Sequence, residues 1–374
     1  MLKLLNRLIL TIILIGVGFA IFKYQETPTQ IVPYPYILNF SEVDGYKEAE
    51  NTNVLIVGDR MGKALNRFLP ALITNLSKGL QKPLKIFNWS DEHEGLHRTL
   101  AKLKSLKKLP PIIIYHGASE EFYEKKFQVK KRNIILKNFK LYQNDKISSA
   151  IMTIPKLSKF IYSNPKHQYL PQIPRKDLTI YSSSKKQFRM ELIYKIYEHE
   201  VNDLIRYTRS KDSNLIFLTT PINLEVEPKE VCKNSTSEDI EQLQDSLYKT
   251  YKQNKLKVIY SPAKTLALKT LGNAKSQFIY GLISLSLLKY KEAKLALIKA
   301  EAFDCMKWRG STIFNNIMKS KAKRNNIDLV DFNEIVNINL GRDTIFQDDI
   351  YPQHIYYQQI MEILKLKITK AYQL

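Results

Sequence analysis

Five short, mostly apolar runs recur along the chain, and segments with helical spacing lie between them. Apolar runs of this length are typical of strands that are buried on both faces of a sheet. The five predicted strands are Val54–Val57, Leu84–Phe87, Ile112–Tyr115, Leu215–Leu218 and Ile327–Val330.

The segments after the first two runs carry apolar residues at the spacing of an amphipathic helix. They are Leu65–Leu76 and Leu96–Leu103. Alternation of strand and helix predicts a parallel sheet with crossover helices, and therefore an α/β fold. Ligands of such sheets bind beyond the carboxyl ends of the strands, so the residues that follow each run are the candidate site residues.

The amino terminus carries a separate apolar segment. Leu8–Phe22 contains no charged residue, and Lys3 and Arg7 precede it. With its flanking residues it is just long enough to span a bilayer, and a convincing cleavage site is missing. Both features favour a signal anchor at residues 1–23 over a cleaved signal peptide. The preceding positive charge predicts a single-pass protein of the bacterial inner membrane with a periplasmic or extracytoplasmic body. Prolines predict an extended linker at residues 24–50.

The charge of the chain suggests polyanionic partners. Lys and Arg number 58 against 36 Asp and Glu, a formal net charge of +22. Residues 125–212 alone hold twenty basic and seven acidic residues, interleaved with aromatic ones. We expect contact with a membrane, with lipid head groups or with an anionic polysaccharide. Envelope proteins are further candidate partners. No nucleic-acid-binding motif is present, so nucleic acid is not expected. A solvated basic face and a compositional bias remain open as alternatives.

The two cysteines, Cys232 and Cys305, lie in no metal-binding pattern, so neither a metal site nor a cofactor is expected. In an extracytoplasmic body they can form a disulfide, but their spacing alone does not show that they meet.

Polar residues follow the predicted strands at four places. The first run ends in Gly58-Asp59-Arg60, and the third in His116-Gly117-Ala118-Ser119-Glu120. Asn223 follows the fourth, and Asp348, Tyr351, Pro352 and His354 follow the fifth. Together these blocks resemble those of the SGNH (GDSL-type) hydrolases, over roughly residues 50–120, 213–228 and 325–370.

The resemblance implies a flavodoxin-like, three-layer domain with a five-stranded parallel sheet. It also assigns roles to positions. Arg60 stands at the position of the nucleophilic serine, Ser119 at that of the oxyanion-hole asparagine, and Tyr351 at that of the catalytic histidine. Only Asp348 retains the family's catalytic residue. The retained or neighbouring binding positions are Gly58, Asp59, Gly117 and Asn223.

One subgroup of this family carries a tetratricopeptide-like helical hairpin before the last strand, and the chain resembles it. Gly281, Ala293, Leu297 and Ala300 have the spacing of that repeat's packing positions. The implied architecture is an α/β domain at residues 51–374 that contains the basic insertion and a helical insertion at residues 239–305. One hairpin cannot bury its own apolar face, so it should pack on the α/β body.

Three hypotheses follow. The first is a catalytically degenerate protein that binds ligands or partners in the cell envelope, since arginine cannot attack a carbonyl and tyrosine is a poor base at neutral pH. The second is an esterase or transacylase acting on envelope carbohydrate or lipid through a rearranged site, with His354 or His116 as base and Ser119 as nucleophile. The third is a membrane-surface protein that acts through its basic insertion.

Arg60 itself has two open interpretations. It can hold a carboxylate, phosphate or sulfate, because its planar fork donates several N–H groups. It can instead be neutralised by Asp59 or Asp348 in a buried pair that closes the site.

Overall fold

The computed structural model describes residues 7, 9–18, 45–123, 183–232 and 237–373. The chain divides into two compact units, residues 1–42 with 125–171, and residues 43–124 with 172–374. The α/β body belongs to the second unit, and its elements are numbered below from its first helix.

Five parallel strands form one sheet in the order β2-β1-β3-β4-β5. The strands are β1 Val54–Gly58, β2 Ile86–Asn88, β3 Ile112–His116, β4 Asn214–Leu218 and β5 Asp328–Val330. The predicted parallel sheet is therefore confirmed, and each strand lies on its predicted run. Strand β2 starts at Ile86, two residues later than predicted. Because Gly58 lies opposite His116 in the register, the segments that follow β1 and β3 leave the sheet side by side.

Twelve helices are described in this unit, and a 3-10 turn at Leu65–Phe68 joins α2 to α3. They are α1 Tyr46–Glu50, α2 Arg60–Ala64, α3 Leu69–Leu80, α4 Leu96–Ser105, α5 Ser183–Arg209, α6 Glu238–Lys252, α7 Leu256–Lys269, α8 Ala274–Ser286, α9 Tyr290–Phe303, α10 Thr312–Asn325, α11 Phe332–Asn337 and α12 His354–Gln373.

Helices cover both faces of the sheet. On one face, alternate strand residues such as Val54, Ile114 and Leu218 share an apolar cluster with α3 and α12. On the other face, α4 contacts β1 and α5 contacts β4. The central strands β1, β3 and β4 are buried on both sides apart from Asn214, which explains why their apolar runs are continuous rather than alternating.

Four consecutive helices, α6 to α9, lie between β4 and α10. Gly281 on α8 lies so close to α9 that an added Cβ would come within 2.6 Å of the Leu297 side chain. Leu297 and Ala300 belong to the apolar cluster on the sheet, so this pair packs on the body. Its other side, including Ile283 and Ala296, packs against α6 and α7. The sequence predicts one hairpin here, and the structure places two further helices against it.

A disulfide joins Cys232, in the loop after β4, to Cys305, just after α9, with a Cα–Cα distance of 5.5 Å. Next to it, the Cys305 N–H donates to the Glu230 carbonyl oxygen at 2.9 Å. The bond ties the helical insertion to the loop that follows β4.

The two ends of the predicted linker differ. Residues 24–44 lie outside the described residues, whereas Tyr46–Glu50 forms α1 rather than extended chain. Ala49 is buried and the Tyr46 hydroxyl donates to the Ser105 carbonyl oxygen at 2.5 Å, so α1 is packed against α4.

Of the predicted anchor, residues 9–18 are helical. Among the described residues, no helix is both long enough and apolar enough to cross a membrane. The basic insertion lies outside the described residues between positions 124 and 182, and its remainder forms α5.

Candidate functional site

The candidate site begins where β1 and β3 end. Gly58 has a φ of 138°, and a Cβ there would lie 2.0 Å from the carbonyl oxygen of His116, so only glycine fits. Ala118 has a φ of 82°, a conformation that is costly for alanine. Through this turn, both the N–H and the hydroxyl of Ser119 reach the same oxygen of Asp59.

Asp59 is the hydrogen-bond acceptor at the centre of the site. It caps helix α2, since its Oδ1 accepts from the Met61 N–H at 2.9 Å. Its Oδ2 accepts from the Ser119 N–H at 2.6 Å, the Ser119 hydroxyl at 2.8 Å and the Glu120 N–H at 3.2 Å. Burial raises the pKa of Asp59, while the hydrogen bonds from Met61 and Ser119 and the charge of Arg60 oppose the rise. Because both oxygens only accept, we assign Asp59 as ionised.

Arg60 lies beside this carboxylate and is itself 5% exposed. Its Nε donates to Ser119 Oγ at 3.2 Å and contacts Glu120 Oε1 at 2.9 Å. Its Nη2 is buried and has no hydrogen-bond partner among the described residues. The guanidinium is therefore held through Nε, while Nη2 has donors to spare.

Glu120 is the acid that pairs with Arg60, a pairing that the sequence pattern did not indicate. The sequence suggested Asp59 or Asp348 for this pairing, although Glu120 directly follows Ser119. Burial raises the pKa of Glu120 to about 8, the nearby Asp59 adds to the rise, and Arg60 opposes it. One cation next to two buried carboxyl groups favours ionising only one of them, so Glu120 retains its proton near neutral pH.

Ser119 is placed to organise this cluster rather than to attack a substrate. It is 1% exposed, and its only proton is donated to Asp59. No histidine of the described residues hydrogen-bonds to it. A serine nucleophile needs a free path to a carbonyl carbon, and a hydroxyl buried in this way has none.

A cavity of about 320 Å³ opens in front of Arg60. Lys63 and Arg67, which follow Arg60 along α2 and the 3-10 turn, line it together with Glu92. No sequence motif marked these three residues, although Lys63 and Arg67 have helical spacing from Arg60. Tyr357 of α12 and Ala64 supply less polar wall.

The loop before α12 closes the opposite side of this cavity. Asp348 and Tyr351 both line it, so the structure brings Arg60 and these two predicted positions together. Asp348 does not bind Arg60; its Oδ1 accepts from the N–H groups of Ile350 and Tyr351, both at 2.7 Å. Asn223 donates to the Asp348 carbonyl oxygen at 3.3 Å and so supports the loop.

Tyr351 is half-buried. Burial raises the pKa of its hydroxyl, and the charge of Arg60 partly opposes this. The hydroxyl therefore stays a neutral donor at physiological pH rather than a base. Gly117 lies behind the site, where its carbonyl oxygen accepts from the Thr220 hydroxyl.

Neither candidate substitute base is arranged for catalysis. His354 is exposed, and its Nε2 lies 2.6 Å from Arg67 Nη1, outside the group of residues that line the cavity. His116 is fully buried, with Nδ1 at 3.0 Å from the Leu218 carbonyl oxygen. Burial lowers the pKa of His116 to about 4, which keeps its ring neutral.

No protein-family model matches the chain, and no curated protein matches it. Among solved structures, it is similar to a crystal structure from Bacteroides fragilis whose acylhydrolase assignment is itself inferred. The TM-score is 0.38 at 7% sequence identity, over 89% of this chain and 99% of that one. At that TM-score the similarity establishes neither a shared fold nor a shared activity.

Proposed function

We propose that the chain is a non-catalytic binding protein built on an SGNH-hydrolase-type frame and anchored at the bacterial inner membrane, with its body outside the cytoplasm. Its partners would be anionic groups of envelope polysaccharide or lipid, or envelope proteins. The frame would belong with the subgroup that has a tetratricopeptide-like helical insertion.

One observation carries the non-catalytic part of the proposal. Arg60 occupies the position after β1 where a nucleophile would stand, and the nearby Ser119 hydroxyl is donated to Asp59. Arginine stays protonated and acts as a hydrogen-bond donor, so it can hold an acidic group but cannot attack an ester.

The positions around Arg60 support the hydrolase-type frame. Tyr351 and Asp348 line the same cavity as Arg60, in the order that the family's histidine and aspartate blocks would require. Glycine at 58 allows the close approach of the two segments that leave β1 and β3. In this proposal the chain keeps the arrangement of positions that a hydrolase site requires, while the reacting side chains at those positions are replaced.

The test is covalent labelling of the purified full chain in detergent with a fluorophosphonate probe, together with hydrolysis of an aryl acetate. We expect no labelling and no hydrolysis above that of Ser119→Ala. Labelling that Ser119→Ala abolishes would instead establish the alternative, a serine esterase or transacylase with a rearranged site.

A rebuilding experiment tests the frame itself. In the double variant Arg60→Ser with Tyr351→His, the family's nucleophile and base return opposite the existing Asp348. We expect the probe to label this double variant and neither single variant. Labelling of Tyr351→His alone would place the nucleophile elsewhere and contradict the assignment of Arg60.

A further inference from the structure

Arg60 lines the cavity and has unused hydrogen-bonding capacity. All its hydrogen bonds to described residues run through Nε, and Nη2 is buried without a partner. A buried charged donor without an acceptor costs free energy, so Nη2 favours an acceptor beyond those that the described residues supply. An oxygen of a bound anion would supply one.

Two further cations flank this position. Lys63 and Arg67 line the same cavity as Arg60. The Lys63–Glu92 ion pair is 3.2 Å long, and the side chains are 46% and 57% exposed, so a competing anion can displace it at little cost. Arg67 contacts the His354 ring and has no carboxylate partner within ion-pair distance among the described residues. Its charge is therefore available as well.

The acidic residues near Arg60 do not cancel its charge toward the cavity. Asp59 is turned to Ser119 and to backbone N–H groups behind the site. The exposed Asp348 directs one oxygen to the N–H groups of its own loop. Glu120 contacts Arg60 at Nε, and Nη2 has no hydrogen-bond partner among the described residues.

We propose that this cavity binds the oxyanion of a larger polar ligand, a phosphate or carboxylate group, with Arg60 donating to it and Lys63 and Arg67 flanking it. The Tyr351 hydroxyl donates from the opposite wall. A guanidinium beside further cations is the arrangement that holds such groups in proteins. The cavity, at about 320 Å³, is within the range of small-molecule sites and has room for a sugar ring joined to the anion. This inference rests on the proposed binding function and names its ligand chemistry.

The experiment is calorimetric titration of the full chain in detergent at low ionic strength. The probes are inorganic phosphate, glucose 1-phosphate, glucuronate and glucose, which separate phosphate from carboxylate and charge from the sugar ring. We expect saturable binding of at least one anionic probe and none of glucose. Stronger binding of glucose 1-phosphate than of glucuronate identifies phosphate as the source, and the reverse order identifies carboxylate.

Variants tie the binding to this cavity. Because each removes one charged donor, Lys63→Gln and Arg67→Gln should each weaken binding about five- to tenfold. Arg60→Lys keeps the charge but loses the fork, and should weaken it at least about tenfold. Tyr351→Phe tests whether the Tyr351 hydroxyl contributes to binding of the anion. Lys294→Gln, which loses an ion pair with Glu334 on α11, is the matched control and should bind as the unaltered chain does.

Two results would overturn the proposal: no saturable binding of any anionic probe, or equal weakening by Lys294→Gln and by the cavity variants. The side chains of Lys63 and Arg67 are exposed, so variants at these positions should fold even if Arg60→Lys does not. The outcome is separable from that of the labelling test. If fluorophosphonate does not label the protein and no anion binds, only the proposed ligand is rejected. If fluorophosphonate labels the protein, the non-catalytic function is rejected whether or not anions bind.

Discussion

Among individual residues, the buried charge cluster of Asp59, Arg60 and Glu120 sets the chemistry of the site. A lone buried carboxylate would be costly, and two carboxylates beside one guanidinium would be costlier still. Asp59 offsets its burial by accepting four hydrogen bonds. Glu120 avoids the cost by keeping its proton, so the cluster is close to neutral as a whole.

This protonation makes folding stability depend on pH. The pKa of Glu120 is raised to about 8 in the folded chain. Between its ordinary value and about 8, the folded state holds a proton that the unfolded state has lost. Stability is therefore highest below the ordinary pKa of glutamate and is lost as pH rises toward about 8. For this residue alone, the loss is at most about 1.4 kcal/mol per pH unit.

The variant Glu120→Gln should remove that dependence. Its amide has the shape of the protonated carboxyl, keeps an oxygen for Arg60 and cannot ionise. Urea unfolding at pH 5, 7 and 8.5 should show the variant gaining stability relative to the unaltered chain as pH rises. Glu92→Gln, an exposed cavity residue, is the control and should change little. A constant difference between Glu120→Gln and the unaltered chain over this range would show that Glu120 is ionised throughout.

The sequence predicted which positions meet at the site but not how their side chains pair. Arg60, Ser119, Asp348 and Tyr351 were expected at the carboxyl edge of the sheet because parallel strands end there together. The partner of Arg60 was not predicted, because it depends on the turn at Ala118, whose positive φ is not encoded by a glycine or asparagine.

Among helices and strands, burial on both faces made the sheet readable from sequence. The predicted bounds of strand β2 were the least accurate of the five, since Leu84 is buried but lies outside the hydrogen-bonded ladder. The helical insertion was underestimated for a related reason. Helices α6 and α7 carry exposed lysines along with their buried stripe, so small-residue spacing marked only α8 and α9.

The α8–α9 contact gives a prediction on packing. Gly281 faces Leu297, and a Cβ would lie 2.6 Å from its side chain and 3.3 Å from its backbone nitrogen. Gly281→Ala should therefore destabilise the protein by about 1–3 kcal/mol, although alanine is the better helix former. Chemical unfolding measures this, with Gly79→Ala on α3 as control. No atom lies within 4 Å of the Cβ position at Gly79, so that change should be stabilising or neutral.

Adding Leu297→Ala to Gly281→Ala gives a second readout. Removing the leucine side chain opens the space that the new methyl group needs, so the double variant should be more stable than the sum of the two single effects predicts. Additive effects would show that the α8–α9 contact is not what excludes alanine at position 281.

For the whole molecule, charge and anchoring provide two ways to reach a membrane. The net charge of +22 can hold the protein on an anionic surface without any insertion. An apolar segment that enters the bilayer would hold it independently of salt. The described helix at residues 9–18 carries exposed Ile12, Ile13 and Leu14.

Washing of membranes that contain the full chain separates these two modes. At about 1 M salt, where the Debye length is about 3 Å, surface attraction is screened, whereas an inserted segment is not affected. We expect the protein to stay in the membrane fraction through the salt wash and alkaline carbonate, and to leave it only with detergent. Leu14→Arg should release it, because a charged residue near the middle of an inserted helix costs about 2.5–3.5 kcal/mol. Leu14→Ala, the matched control, should not. Release of the unaltered chain by salt alone would assign membrane contact to the basic surface and remove the anchor.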